Sequence, residues 1–159
     1  MGIAVQSCYF SVDSVVPWAE AGGCVVATQS FVDPSYGPLG LDLMRCGKSA
    51  PEARQALVAV DPGAASRQVA MIDNAGRVAV HAGRQCLAVA GHHLGEQASA
   101  QANLIRQDTV WGAMVEAFMA ATGDHPPRPE RDLPRFPEPL RGRGRVERLV
   151  RRLPPGGGM

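Results

Sequence analysis

Among residues able to do chemistry, His81, Cys86, His92 and His93 form the one cluster with metal-ligating side chains. Adjacent histidines on an extended segment point to opposite faces, so His92 and His93 do not converge on one ion, and no metal or other cofactor is expected. None of the 18 glycines belongs to a phosphate-cradling G-x-x-x-x-G-K-[ST] or a strand-borne G-x-G-x-x-G. No serine stands in the strained G-x-S-x-G frame of a hydrolase elbow. Polar residues gather in two other places. Asp33-Pro-Ser-Tyr-Gly37 sets the carboxylate of Asp33, the hydroxyl of Ser35 and the phenol of Tyr36 on a proline-fixed loop after a strand, the kind of segment that carries sites. The same residues also read as a helix cap with Tyr36 packed beneath it. Ser99, Gln101 and Asn103 alternate with small alanines, so an extended segment aligns them on one side. They read either as a donor set of the oxyanion type or as the solvent face of an edge strand.

The elements that must position these residues are strands first and helices second. Residues 2–10 and 23–32 are rich in Val, Ile and aromatics and read as two strands separated by Pro17 and the Gly22-Gly23 pair. Helical spacing runs over residues 39–45, with Gly47 suited to the C-terminus. Ser49-Ala-Pro-Glu52 is a capping box that opens the next helix, and Asp61-Pro-Gly63 ends it. Residues 68–73 and 77–82 alternate around Asn74-Ala-Gly76, which predicts a hairpin with Asn74 or Gly76 at positive φ. Residues 98–105 form a further strand beside it. Asp108 is placed to cap a last helix whose Trp111, Met114, Val115 and Phe118 share one face. The order ββααββ(β)α predicts an α+β fold with layered antiparallel sheets.

The 159 residues suffice for one ordinary domain, and 45% hydrophobic with 19% charged residues excludes a disordered polyelectrolyte. No apolar run of membrane-spanning length and no secretory leader pattern is present, so a cytoplasmic location without a membrane partner is expected. The net charge of +1 hides a split. Residues 1–122 carry 7 Lys/Arg against 10 Asp/Glu, while residues 123–159 carry 9 Arg against 5 acids and 8 of the 13 prolines. The division predicts a domain over residues 1–122 and a Pro/Arg/Gly-rich tail over residues 123–159. Within the tail, residues 125–139 read as an extended linker. Residues 145–153 carry an apolar stripe of Val146, Leu149, Val150 and Leu153 among arginines. Interspersed acids and a single aromatic, Phe136, argue against a nucleic-acid partner.

The segments VVPWAEAGGCVVATQSFVDPSYGPLGLDLM (15–44), KSAPEARQAL (48–57), RQVAMIDNAGRVAVHAG (67–83), AGHHLG (90–95) and SAQANLI (99–105) resemble a bacterial and archaeal family, domain of unknown function ten-twenty-eight. The resemblance covers residues 1 to about 121, and its most specific part is the P-S-Y-G-P-x-G-L run with the preceding A-T-Q. It implies the fold of the N-terminal-nucleophile hydrolases, an α/β/β/α sandwich of two stacked antiparallel sheets, and hydrolysis of an amide or peptide-like bond. In that chemistry the first residue of the mature chain, a Thr, Ser or Cys, attacks while its own α-amine serves as base. Members of the family open with a strand that precedes the one resembled here by Gly2-Ile-Ala-Val-Gln-Ser7, and removal of Met1 exposes Gly2. No residue is therefore carried over as nucleophile. The chain is expected to be an inactive fragment with an incomplete sandwich, whose open sheet edges favour a second copy as partner. The resemblance makes Asp33, Ser35, Tyr36, Gln101 and Asn103 the candidate substrate-binding residues of the full-length form. The alternative is a non-catalytic binding or assembly scaffold that docks through the basic segment 145–153.

Overall fold

Alternation of apolar residues at period two builds the first sheet. A computed structural model describes residues 1–121; the proposed linker and the apolar stripe of the tail lie outside the described residues. Strand β1 (Pro17–Glu20) turns into β2 (Cys24–Ser30), and β3 (Arg67–Ile72) and β4 (Val78–Ala82) complete an antiparallel sheet in the order β1-β2-β3-β4. Val26 lies opposite Met71, and Thr28 opposite Val69. These four side chains share one face, where Ala79 of β4 joins them opposite Met71.

That face is covered by α1 (Tyr36–Arg45) and α2 (Ala50–Val60). Both begin and end as their sequences dictate. α1 closes in a Schellman turn: Gly47, at φ 88°, donates its N–H to the Met44 carbonyl, and Lys48 donates to that of Leu43. At the start of α2 the Ser49 N–H donates to the Glu52 carboxylate at 2.7 Å while Ser49 Oγ accepts from the Glu52 N–H, the reciprocal capping box. Val26, Val69, Met71 and Ala79 from the sheet meet Tyr36, Leu41, Met44, Ala50 and Ala53 from the helices in the main core.

The opposite face of the sheet carries a two-stranded antiparallel ribbon, β5 (Gly91–Gly95) and β6 (Ala98–Ala102). On the ribbon's outer side lies α3 (Val110–Ala120). The close approach of α3 needs small residues beneath it. A Cβ on Gly91 would come within 2.5 Å of the Trp111 ring, and one on Gly95 within 2.7 Å of Val115. The ribbon contributes Ala98 and Ala100 to the same contact, both buried. The stacking is thus helix pair, four-stranded sheet, two-stranded ribbon and helix, a mixed α+β arrangement with antiparallel sheets.

The structure corrects four local expectations. Residues 2–10 are not a strand. Their period-two pattern survives as burial, with Ile3, Val5 and Ser7 half-buried between exposed neighbours. No described strand pairs with them, and β propensity without a ladder does not hold a strand. Pro17, read as a separator, instead opens β1, because the first residue of an edge strand tolerates the missing N–H. The strand expected over residues 98–105 stops at Ala102, since Leu104 turns into the left-handed region at φ 54°. It pairs with β5 and leaves the β3–β4 hairpin in the other sheet. Asp108 is not the cap of α3: Thr109 holds that position with helical φ and ψ and no side-chain cap bond. In the β3–β4 turn it is Gly76, at φ 76°, that takes the positive φ.

Candidate functional site

β2 ends beside the start of β3, with Ser30 opposite Arg67 and Gln29 opposite Gln68. Successive side chains alternate in direction, so Ser30 and Arg67 turn toward the helices while Gln29 and Gln68 turn toward the ribbon. Two polar clusters result, one on each face of the sheet at the same end.

On the helix side, Arg67 ties three segments together. Its Nε donates to Asp61 Oδ2 at 2.8 Å and one terminal nitrogen donates to the Phe31 carbonyl at 2.8 Å. The other terminal nitrogen lies 3.7 Å from Asp33 Oδ2. Tyr36, almost fully buried, donates its hydroxyl to Asp61 Oδ2 at 3.0 Å. Burial, reinforced by that hydrogen bond, pushes the Tyr36 phenol far above its ordinary pKa, so it stays a donor. Asp33 Oδ1 accepts from the N–H and the hydroxyl of Ser35, and so fixes the approach to α1. Ser35 itself makes no side-chain cap bond to the helix. Every charged group in this cluster faces an opposite charge, so the cluster works as a clasp joining the β2–α1 loop, the end of α2 and β3.

On the ribbon side four primary amides converge. Gln68 has no exposed surface, and it uses its whole hydrogen-bonding capacity. Its Nε2 donates to the carbonyls of Gly91 and Ala102 at 3.0 and 3.1 Å. Its Oε1 accepts from Gln29 Nε2 at 2.8 Å and from Asn103 Nδ2 at 3.1 Å. Gln101 Nε2 donates to the Ala27 carbonyl at 3.3 Å, while Gln101 Oε1 is buried with no partner among the described residues. The segment between β4 and β5 seals this end of the sheet: Leu87 N–H donates to Ser30 Oγ, and Cys86 Sγ donates to the Arg67 carbonyl.

The five residues singled out from sequence therefore fall into two groups that the sheet separates. Asp33, Ser35 and Tyr36 belong to the clasp, and Gln101 and Asn103 belong to the amide cluster. Gln29, Gln68, Asp61 and Arg67 escaped notice, although the A-T-Q run ending at Gln29 and the glutamine inside the apolar alternation of β3 were both visible. The histidines and Cys86 disperse: His81 Nε2 pairs with the Ala64 carbonyl at 2.7 Å, Cys86 meets Arg67, and His92 and His93 occupy opposite faces of β5. An open recess of about 440 Å³ is lined by Val89, Arg106, Gln107, Asp108 and Thr109, none of them in either cluster.

Acid should loosen the helix face of the sheet at both of its ends. Arg67 holds the Asp61 carboxyl below its ordinary range. At Asp73, burial opposes ionisation but is outweighed by N–H donors from Ala50, Arg77 and Ala75 and by the Arg77 side chain, and the net direction is again downward. A carboxylate whose folded pKa is depressed adds stability above the unfolded value near ~3.9, and this is lost as pH falls through the folded value. The urea midpoint is therefore expected to stay flat from neutral pH to about 5 and to drop steeply below about 4. A midpoint that falls equally between pH 7 and 5 would contradict this assignment.

With this geometry in view, comparison places the protein. The chain belongs to a family of unknown function, DUF1028, whose model matches residues 1–133. The crystal structure of protein SPO2555 from Silicibacter pomeroyi, a member of that family, is similar, with a TM-score of 0.72 and 25% identity. The match covers 76% of this chain and 54% of SPO2555, so the chain spans about half the length of that relative. No curated protein matches the chain. Among the described residues, no helix is long and apolar enough to cross a membrane.

Proposed function

We propose that the protein is a relative of the N-terminal-nucleophile amidohydrolases and that its full-length form cleaves an amide or peptide-like bond. The observation that carries this reading is the stacking of helices, sheet, second sheet and helix, with a cluster of uncharged hydrogen-bonding side chains between the two sheets. Gln101 and Asn103 are the substrate-side residues in this reading, joined by Gln29, while the fully buried Gln68 holds Gln29 and Asn103 in place. Asp33, Ser35 and Tyr36 act from the other face by holding the end of β2 in place. No residue of this chain is assigned as nucleophile.

The test is the intact mass and N-terminal residue of the protein purified from its source cells, followed by an ammonia- or amine-release screen on simple amides. A native protein heavier than the 16.8 kDa of this sequence that begins with Thr, Ser or Cys and releases amine supports the reading. A protein of this mass beginning at Met1 or Gly2 with no release overturns it.

A further inference from the structure

Two details of the amide cluster go beyond its role as a brace between sheet and ribbon. The first is donor and acceptor arithmetic. Gln29 and Asn103 each spend one N–H on the same oxygen, Gln68 Oε1. Each keeps a second N–H and a carbonyl oxygen, and neither oxygen is among the buried atoms without a partner. The two side chains are only half-buried, so these groups are not sealed in the interior. One N–H beside one C=O is the complement of another amide, which can pair with it through two parallel hydrogen bonds.

The second detail is backbone strain. Among the described residues four non-glycines take positive φ, and two of them, Ser30 at 68° and Leu104 at 54°, directly follow Gln29 and Asn103. A left-handed conformation is unusual for serine and costly for a bulky leucine. Such strain persists only where surrounding contacts over-determine it, and it gathers at ligand sites. Here both outliers stand at the point where a strand is bent away just after delivering its amide.

We propose that Gln29 and Asn103, pinned side by side on Gln68, form a recognition site for an uncharged carboxamide, the terminal amide of a side chain or a peptide. This rests on the amidohydrolase reading and narrows its substrate class. Charge complementarity supplies the selectivity. None of the four amides is ionisable, and Arg67, which directly precedes Gln68, points to the other face and is held by Asp61 and the Phe31 carbonyl. The residue paired with Gln101 across the ribbon is His92, whose imidazole burial holds below its ordinary range, so it offers no positive charge to a carboxylate at neutral pH. A carboxylate bound here would lose water without gaining a cation.

The experiment is a titration of the intact chain with propionamide, propionate and propylammonium, followed by the side-chain NH2 resonances of Gln29, Gln68 and Asn103. Propionamide is expected to shift the Gln29 and Asn103 signals saturably in the millimolar range, as suits so small a ligand. Asn103→Leu, a change at a half-exposed position that leaves Gln68 in place, should weaken it about tenfold. Gln29→Leu provides the same readout if Asn103→Leu fails to fold. Equal or stronger shifts with propionate, or no saturable shift with propionamide, would overturn the proposal. Because no bond is cleaved, failure of the hydrolase reading would leave this titration unchanged.

Discussion

Asp73→Ala should remove about 3–5 kcal/mol of folding stability, the usual consequence of breaking a buried network around an ion. Asp73 is 1% exposed, and its carboxylate is the hub of the β3–β4 turn. Oδ1 accepts from the N–H groups of Ala75 and Arg77, and Oδ2 accepts from the Ala50 N–H at 2.8 Å and from Arg77 Nε at 2.8 Å. The Ala50 bond fastens the first turn of α2 to the sheet, where the helix dipole also favours a negative charge. Removing the carboxylate leaves three backbone donors without partners, each costing about 1–3 kcal/mol if it stays buried. The ion pair with Arg77 matters less, because the Arg77 side chain is 56% exposed. Arg77→Ala should therefore cost under about 1 kcal/mol. Urea unfolding of the two variants separates the contributions. Equal losses would mean that the ion pair, and not the backbone anchoring, dominates.

That hub shows how far local sequence carries. The capping box at Ser49 and Glu52 is written in four consecutive residues, and the structure forms it with both reciprocal bonds. The β3–β4 hairpin is similarly local, since a glycine at the turn and alternation on both sides suffice. Elements that depend on a partner were less legible. β1 begins at a proline that local rules treat as a break, and it exists because β2 supplies the ladder. Residues 2–10 carry a strand-like pattern and find no described strand to pair with. Of the ribbon, β6 falls within the strand expected over residues 98–105, whereas β5 was hidden, because Gly-His-His-Leu-Gly gives no hydrophobic alternation to read.

The candidate site divides along the same line. Asp33 and Ser35 are joined by contacts two residues apart, so the loop was legible as polar and capped. That Tyr36 finds Asp61, and that Arg67 closes the clasp, needs the sheet to bring distant segments together. Gln101 and Asn103 were legible as an aligned polar pair. Their organising residue was not, since Gln68 meets Gln29 across 39 residues and Asn103 across 35. A buried glutamine in an apolar strand is the signal that marks such a hub, because an amide without surface must find all its partners.

Gln68→Met tests that hub directly. Methionine has a similar shape and fills the same space, so a core held only by packing should lose less than about 1.5 kcal/mol. The amide bonds predict a larger loss. Gln29, Asn103 and the carbonyls of Gly91 and Ala102 all lose their partner. The two carbonyls lie at the start of β5 and the end of β6, so their release unfastens the ribbon from the sheet. We expect destabilisation of about 3 kcal/mol, summing modest penalties for groups that regain some water. Amide hydrogen exchange should localise it: ribbon protection falls most, whereas β2 and β3, held by their own ladder, keep theirs. The same variant frees Gln29 and Asn103 to rotate, so their propionamide shifts should vanish even in molecules that stay folded. Unchanged ribbon exchange together with a loss near 1 kcal/mol would show that shape alone, and not the amide network, joins the two layers.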